Sequence, residues 1–210
     1  MQNFPVNLTV RSVSTRHAPG LVERQIANIK GTSVAHFEPI PDLSILSLEG
    51  QTSLQPIHTS TNKLEGSFDI ALSEPGKFDL SVPPNCNFEI YVSDLKSNAP
   101  YLDRVVQERM DMRRFPHIRA AITNLQEKGE NIYAAVGQLT FHGVTAREEG
   151  ELFIKWLDDT TIEVKGEIVI DVRNYGIDPP RLVAITNDPQ VRARLKLVLR
   201  WVDAQEEGET

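Results

Sequence analysis

Cysteine is almost missing from the 210-residue chain, where Cys86 stands alone. A single thiol forbids an internal disulfide and agrees with a reducing compartment. Histidine is sparse and scattered: His17, His36, His58, His117 and His142 show no His-x-His or His-x-x-x-His spacing, so no metal site is expected. Basic runs are short as well. None exceeds Arg113-Arg114, and 22 basic against 29 acidic side chains leave a net charge of −7, which argues against a nucleic-acid partner. No apolar stretch is long enough to span a bilayer as a helix, and the opening MQNFPVNLTVRSVSTRH lacks the features of an export signal. The expectation is a cytoplasmic protein without an integral membrane segment, or an exported one if a leader has been removed. Nucleophile elbows, phosphate-cradling glycine loops and His-Glu-x-x-His are all lacking, so no catalytic residue is assigned and no cofactor is expected.

What the chain does have is a sustained period of two from Leu43 onward, the mark of strands with one buried face. Phe68, Ile70 and Leu72 alternate with polar or small residues, and after Pro75-Gly76 the set Phe78, Leu80 and Val82 predicts the second strand of a hairpin. Phe88, Ile90 and Val92, then Ile118, Ala120 and Ile122, continue the pattern. Strands follow that end at Phe141 and Trp156, and another carries Ile162 to Ile170. The last runs from Val191 to Trp201, apolar on one side and basic on the other. Helical signal is confined to APYLDRVVQERMD at 99–111 and, more weakly, LVERQIANIK at 21–30. The reading is an all-β antiparallel barrel over 43–202, favoured over a sandwich because the final strand is long and cleanly amphipathic. Residues 1–42 are an N-terminal extension, a strand and loop or a small helical cap, and 203–210 an acidic tail.

Few side chains suggest chemistry. Cys86 has no adjacent histidine or basic residue and reads as a small buried hydrophobe. Glu148-Glu149 and Asp158-Asp159 read as solvated turn carboxylates. Arg113 and Arg114 mark a helix-to-strand junction in which Phe115 plugs one end of the core, with a gate for an anionic headgroup as the alternative. His142 precedes Gly143, which permits a positive φ, so a turn-fixing hydrogen bond is favoured over a headgroup contact at a barrel mouth.

Three stretches in order, MDMRRFPHI at 110–118, GQLTFHGVT at 137–145 and DVRNYGID at 171–178, resemble the signature segments of the YceI-like family of lipocalin-like barrels. SLQPIHTSTNKLEGSFDI at 53–70 is similar to its opening strands. The chain departs from that pattern where Arg147-Glu148-Glu149 replaces a basic-proline pair, and it lacks the Arg-Asp-x-His-Leu run before the short helix. The resemblance implies a lipocalin-like barrel with one short helix that holds a polyisoprenoid, an isoprenoid quinone or another lipid chain as a non-enzymatic binder or carrier. A lipid-modifying isomerase or cyclase and a filled structural barrel are the alternatives, and a homodimer is left open. If the apolar sets converge inside, Phe68, Ile70, Leu139, Phe141, Ile154, Trp156, Ile168, Ile170, Leu197 and Leu199 are the expected ligand contacts.

Overall fold

Alternating side chains bury their apolar face only if the sheet finds something to close on, and here it closes on itself. The computed structural model describes residues 33–52, 56–97, 99–177 and 187–202. Its strands are β1 (Ser33–Pro39), β2 (Ile45–Thr52), β3 (Pro56–Thr61), β4 (Glu65–Glu74), β5 (Lys77–Phe78), β6 (Asn85–Tyr91), β7 (His117–Gly129), β8 (Ile132–Phe141), β9 (Val144–Trp156), β10 (Thr161–Asp171) and β11 (Asn187–Trp201). One helix, α1 (Pro100–Arg109), separates β6 from β7. Antiparallel pairing runs β1-β4-β6-β7-β8-β9-β10-β11, and β11 returns to β1, giving a closed eight-stranded ring.

The β2–β3 hairpin extends this ring rather than adding to it. Phe37 faces Trp201 on β11, and Leu46 faces Leu195 further along the same strand, so β1 and β2 lie end to end on one edge of β11. Pro39 and Pro41 have no N–H to donate, so the ladder cannot run through them. A 3-10 turn at Pro41–Leu43 steps over the gap. The hydroxyl of Ser44 replaces the missing partners: Oγ donates to the Val198 carbonyl (3.2 Å) and accepts the Val198 N–H (3.1 Å).

Among the described residues the first strand of the barrel is Ser33–Pro39, ahead of the boundary expected at residue 43. The extension supplies the strand that closes the ring, while 1–32 and 203–210, with the helix expected at 21–30, lie outside the described residues. The hairpin after Pro75-Gly76 has a second strand of only two residues. Asp79 Oδ1 takes the N–H (3.0 Å) and hydroxyl (2.6 Å) of Ser81, and this local turn, followed by Pro83-Pro84, ends β5 before Leu80 and Val82 can pair. The short helix forms close to its expected span, with Pro100 in its first turn.

Along its axis the barrel has two different halves. In one, Phe37, Phe68, Ile70, Leu72, Ile154, Ile162, Val164, Leu197 and Leu199 are all at most 1% exposed. Tyr133, Phe78, Trp156, Phe37 and Trp201 close that end as a chain of rings with centroids 5.7–6.0 Å apart. In the other half the inward residues are smaller, and α1 lies at that end with none of its residues buried. Because Ser44 is 2% exposed and its substitution strands a buried N–H, Ser44→Ala is expected to lower stability by roughly 1–3 kcal/mol. A urea midpoint unchanged from wild type would show that the ladder gap is bridged some other way.

Candidate ligand cavity

Inward positions of the open half carry Leu46 and Leu48 on β2, Ala120 and Ile122 on β7, Ala135, Gly137, Leu139 and Phe141 on β8, Gly150 and Leu152 on β9, Gly166, Ile168 and Ile170 on β10, and Ala193 and Leu195 on β11. An eight-stranded barrel has an interior just wide enough for side chains to fill, so alanine and glycine in this layer leave space. The space is a cavity of about 260 Å³. Gly150 borders it beside the opening of the wall, and a Cβ built on this exposed glycine meets no described atom within 4 Å.

Of the ten expected ligand contacts, Leu139, Phe141, Ile168 and Ile170 line this cavity. The other six do not. Phe68, Ile70, Ile154, Leu197 and Leu199 are packed in the filled half, and Trp156 stands in its ring chain with a buried indole N–H that has no partner among the described residues. Alternation identifies the face of a strand but not the height along the barrel, and height separates the two groups. Gly150, Ala135 and Ala120 are outside the expected contact set, although each sits in phase with larger inward residues of its own strand. A small residue in an inward phase was the available signal.

The rim of the cavity gathers the three signature stretches in one place. His142 (φ 52°) and Gly143 (φ 77°) form the two-residue turn between β8 and β9, with positive φ at both central positions. Nδ1 of His142 donates to the Tyr175 carbonyl at 3.0 Å, and its ring lies 4.8 Å from that of Phe115. Gly143 is fixed by contact as well as by φ, since a Cβ there would be 2.4 Å from Phe115 Cε1. Phe141 packs on Tyr175 with ring centroids 5.6 Å apart. His142 is thus a turn residue that ties β8 to the segment after β10. Arg114 lies over the ring of Phe115 (5.1 Å) and reaches Asp111 (3.6 Å), while both Arg113 and Arg114 are exposed.

Glu148 differs from its expected place. It is not a turn residue but an inward one in the middle of β9, opposite Gly137, while its neighbour Glu149 points outward to Arg147 (2.7 Å). The hydroxyl of Tyr175 donates to Glu148 Oε1 at 2.5 Å. Burial, and then this hydrogen bond to a carboxylate, push the Tyr175 phenol well above its ordinary range. The wall is split beside this pair. β9 and β10 pair only from Trp156 and Ile162 to Glu151 and Glu167, so 144–150 of β9 has no ladder partner on β10. Glu149, Glu151 and Glu167, although in the outward phase, border the cavity at this split.

Among the described residues no three His, Cys, Asp or Glu side chains converge as metal ligands. Cys86 is 1% exposed, and burial, with Asp69 nearby, pushes its thiol far up, so it stays protonated and unreactive.

Residues 41–197 match the family of YceI-like domains. The chain belongs to that family. The YceI-like barrel is also similar to solved structures. BcnA of Burkholderia cenocepacia, at 15% identity, aligns over 76% of this chain and 98% of its own with a TM-score of 0.64. A polyisoprenoid binding domain from Saccharophagus degradans aligns at 12% identity over 79% and 98%, with a TM-score of 0.63. The YceI protein of Campylobacter jejuni aligns at 11% over 97% and 100%, with a TM-score of 0.51. At these identities the likeness shows the fold. No curated protein sequence matches the chain. In this YceI-like chain Gly143→Ala should lower stability by roughly 1–3 kcal/mol or more, from backbone strain and the Phe115 contact together. His142→Asn, which tolerates positive φ but loses the tie to Tyr175, should lower it by only about 1 kcal/mol. Urea unfolding of both variants checks the ranking, and the reverse order would contradict the turn assignment.

Proposed function

We propose that this chain is a non-enzymatic binding protein, a carrier of one long apolar chain of the isoprenoid class, which lies in the open half of the barrel. The observation that carries the reading is the apolar cavity of about 260 Å³ in the open half, which Gly150 borders beside the β9–β10 split. A fully packed barrel would be a structural protein; this one keeps an apolar volume, open at the β9–β10 split, next to a filled half that holds the fold. The description of the Saccharophagus degradans domain as polyisoprenoid binding supports the choice of ligand class. Binding is favoured over a lipid-modifying enzyme because the Tyr175 phenol, pushed up by burial, keeps its proton and is committed to Glu148.

The cavity of about 260 Å³ is just below the roughly 300–1,000 Å³ of most ligand sites, so it takes a segment of a long chain and the remainder leaves through the rim or the β9–β10 split. Each methylene buried contributes roughly 0.8 kcal/mol, so ten or so suffice for tight binding after association and ordering losses. Gly150→Phe places a ring in that volume, and no positive φ opposes a side chain there. Isothermal titration with geranylgeraniol should show affinity reduced by roughly tenfold or more in Gly150→Phe. Its melting temperature should equal or exceed that of wild type. Equal affinity in the two folded proteins would place the ligand elsewhere and overturn the proposal.

A further inference from the structure

A carboxylate on an apolar wall is favoured there only with water or a hydrogen-bond donor beside it. Glu148 is a half-buried carboxylate on the wall of an apolar cavity: it projects inward from β9 opposite Gly137 and two residues before Gly150, beside the β9–β10 split. Its Oε1 accepts the Tyr175 hydroxyl, and Tyr175, at 0% exposure, fixes how the carboxylate is turned. Among the described residues Oε2 has no hydrogen-bond partner and Glu148 has no cation within ion-pair distance. Two of the other acids at the split are paired on the outer face, Glu149 by Arg147 (2.7 Å) and Glu167 by Arg194 (2.8 Å), while Glu151, in the outward phase, is exposed. Among the described residues no lysine or arginine lines the cavity.

We propose that Glu148, oriented by Tyr175, recognises the ligand's head and selects one that donates a hydrogen bond, a hydroxyl or an ammonium, over phosphate and carboxylate heads. The assignment rests on the cavity reading above and adds the chemistry of the head to it. A hydroxyl or ammonium at the β9–β10 split donates to Oε2, completing the carboxylate's coordination, while the tail runs past Gly150 into the apolar layer. An anionic head in the same position meets Glu148 with no cation between them among the described residues, and like charges repel. A site built around one hydrogen-bonding group discriminates strongly against a head that cannot use it.

The test uses three ligands with one tail, geranylgeraniol, geranylgeranylamine and geranylgeranyl monophosphate, titrated into the wild-type chain and into Glu148→Gln, Tyr175→Phe and Gly150→Phe, each checked for folding by its melting temperature. Wild type should bind the alcohol and the amine at least roughly tenfold more tightly than the phosphate. Glu148→Gln should bring the three within about threefold of one another, with the amine losing most, and Tyr175→Phe should narrow the spread in the same direction. Gly150→Phe should weaken all three. Equal binding of the three heads by wild type, an order unchanged in Glu148→Gln, or a phosphate that binds most tightly would overturn the head assignment, yet leave the cavity reading intact if Gly150→Phe still weakens them. Binding that Gly150→Phe leaves untouched, or no binding of any of the three, would overturn the cavity reading itself.

Discussion

An eight-stranded barrel has one interior, and every inward side chain must share it. This constraint decides the rest of the structure. Where successive strands send in phenylalanine, tryptophan, isoleucine and leucine, the interior is full and the fold is held. Where they send in glycine and alanine, the same backbone encloses space. The chain does both, at different heights along one axis, so stability and binding are assigned to separate layers. In the filled layer Val164 lies between Ile154 and Leu197 in the ladder, all at 1% exposure. In the open layer Ile168 faces Ala193, which in turn faces Leu48, and the cavity borders all three.

Closure needs two local devices. Ser44 bridges the proline-interrupted ladder so that β1 and β2 act as one strand against β11. At the other end the His142-Gly143 turn, Phe115 and the Tyr175-Gly176 segment hold one another, joining β7, β8 and the stretch after β10 at the rim. The three stretches that carry the family resemblance are therefore one contact cluster, and their shared role is architectural. Glu148 lies in the stretch that departs from that pattern, and it lines the cavity from β9 while accepting a hydrogen bond from the rim's tyrosine.

How much of this was readable in the sequence depends on what alternation encodes. A period of two states which side chains share a face, and it led correctly to an antiparallel barrel with a short helix after β6. It does not state height, so Leu197 and Leu199 were grouped with Ile168 and Ile170 although the ladder puts them in different layers. Glu148-Glu149 reads as a pair of solvated turn carboxylates, yet the phase of Glu148 with Leu152, Ile154 and Trp156 places it inward on β9. The two-residue β5 could not be foreseen from Phe78, Leu80 and Val82, because a local Asp79–Ser81 turn outcompeted the ladder. Nor could the extension be recognised as a barrel strand: β1 is paired on both sides by strands distant in sequence, β4 and β11.

The central claim is that binding and stability occupy different layers of one interior. Leucine and isoleucine methyl groups in both layers can be observed together by NMR during titration with an isoprenoid such as geranylgeraniol. The account predicts shifts at Leu46, Leu139, Leu152, Ile168 and Leu195, with Leu72, Ile162, Leu197 and Leu199 unchanged at saturation. Shifts centred on the second group, or spread evenly over both, would contradict it.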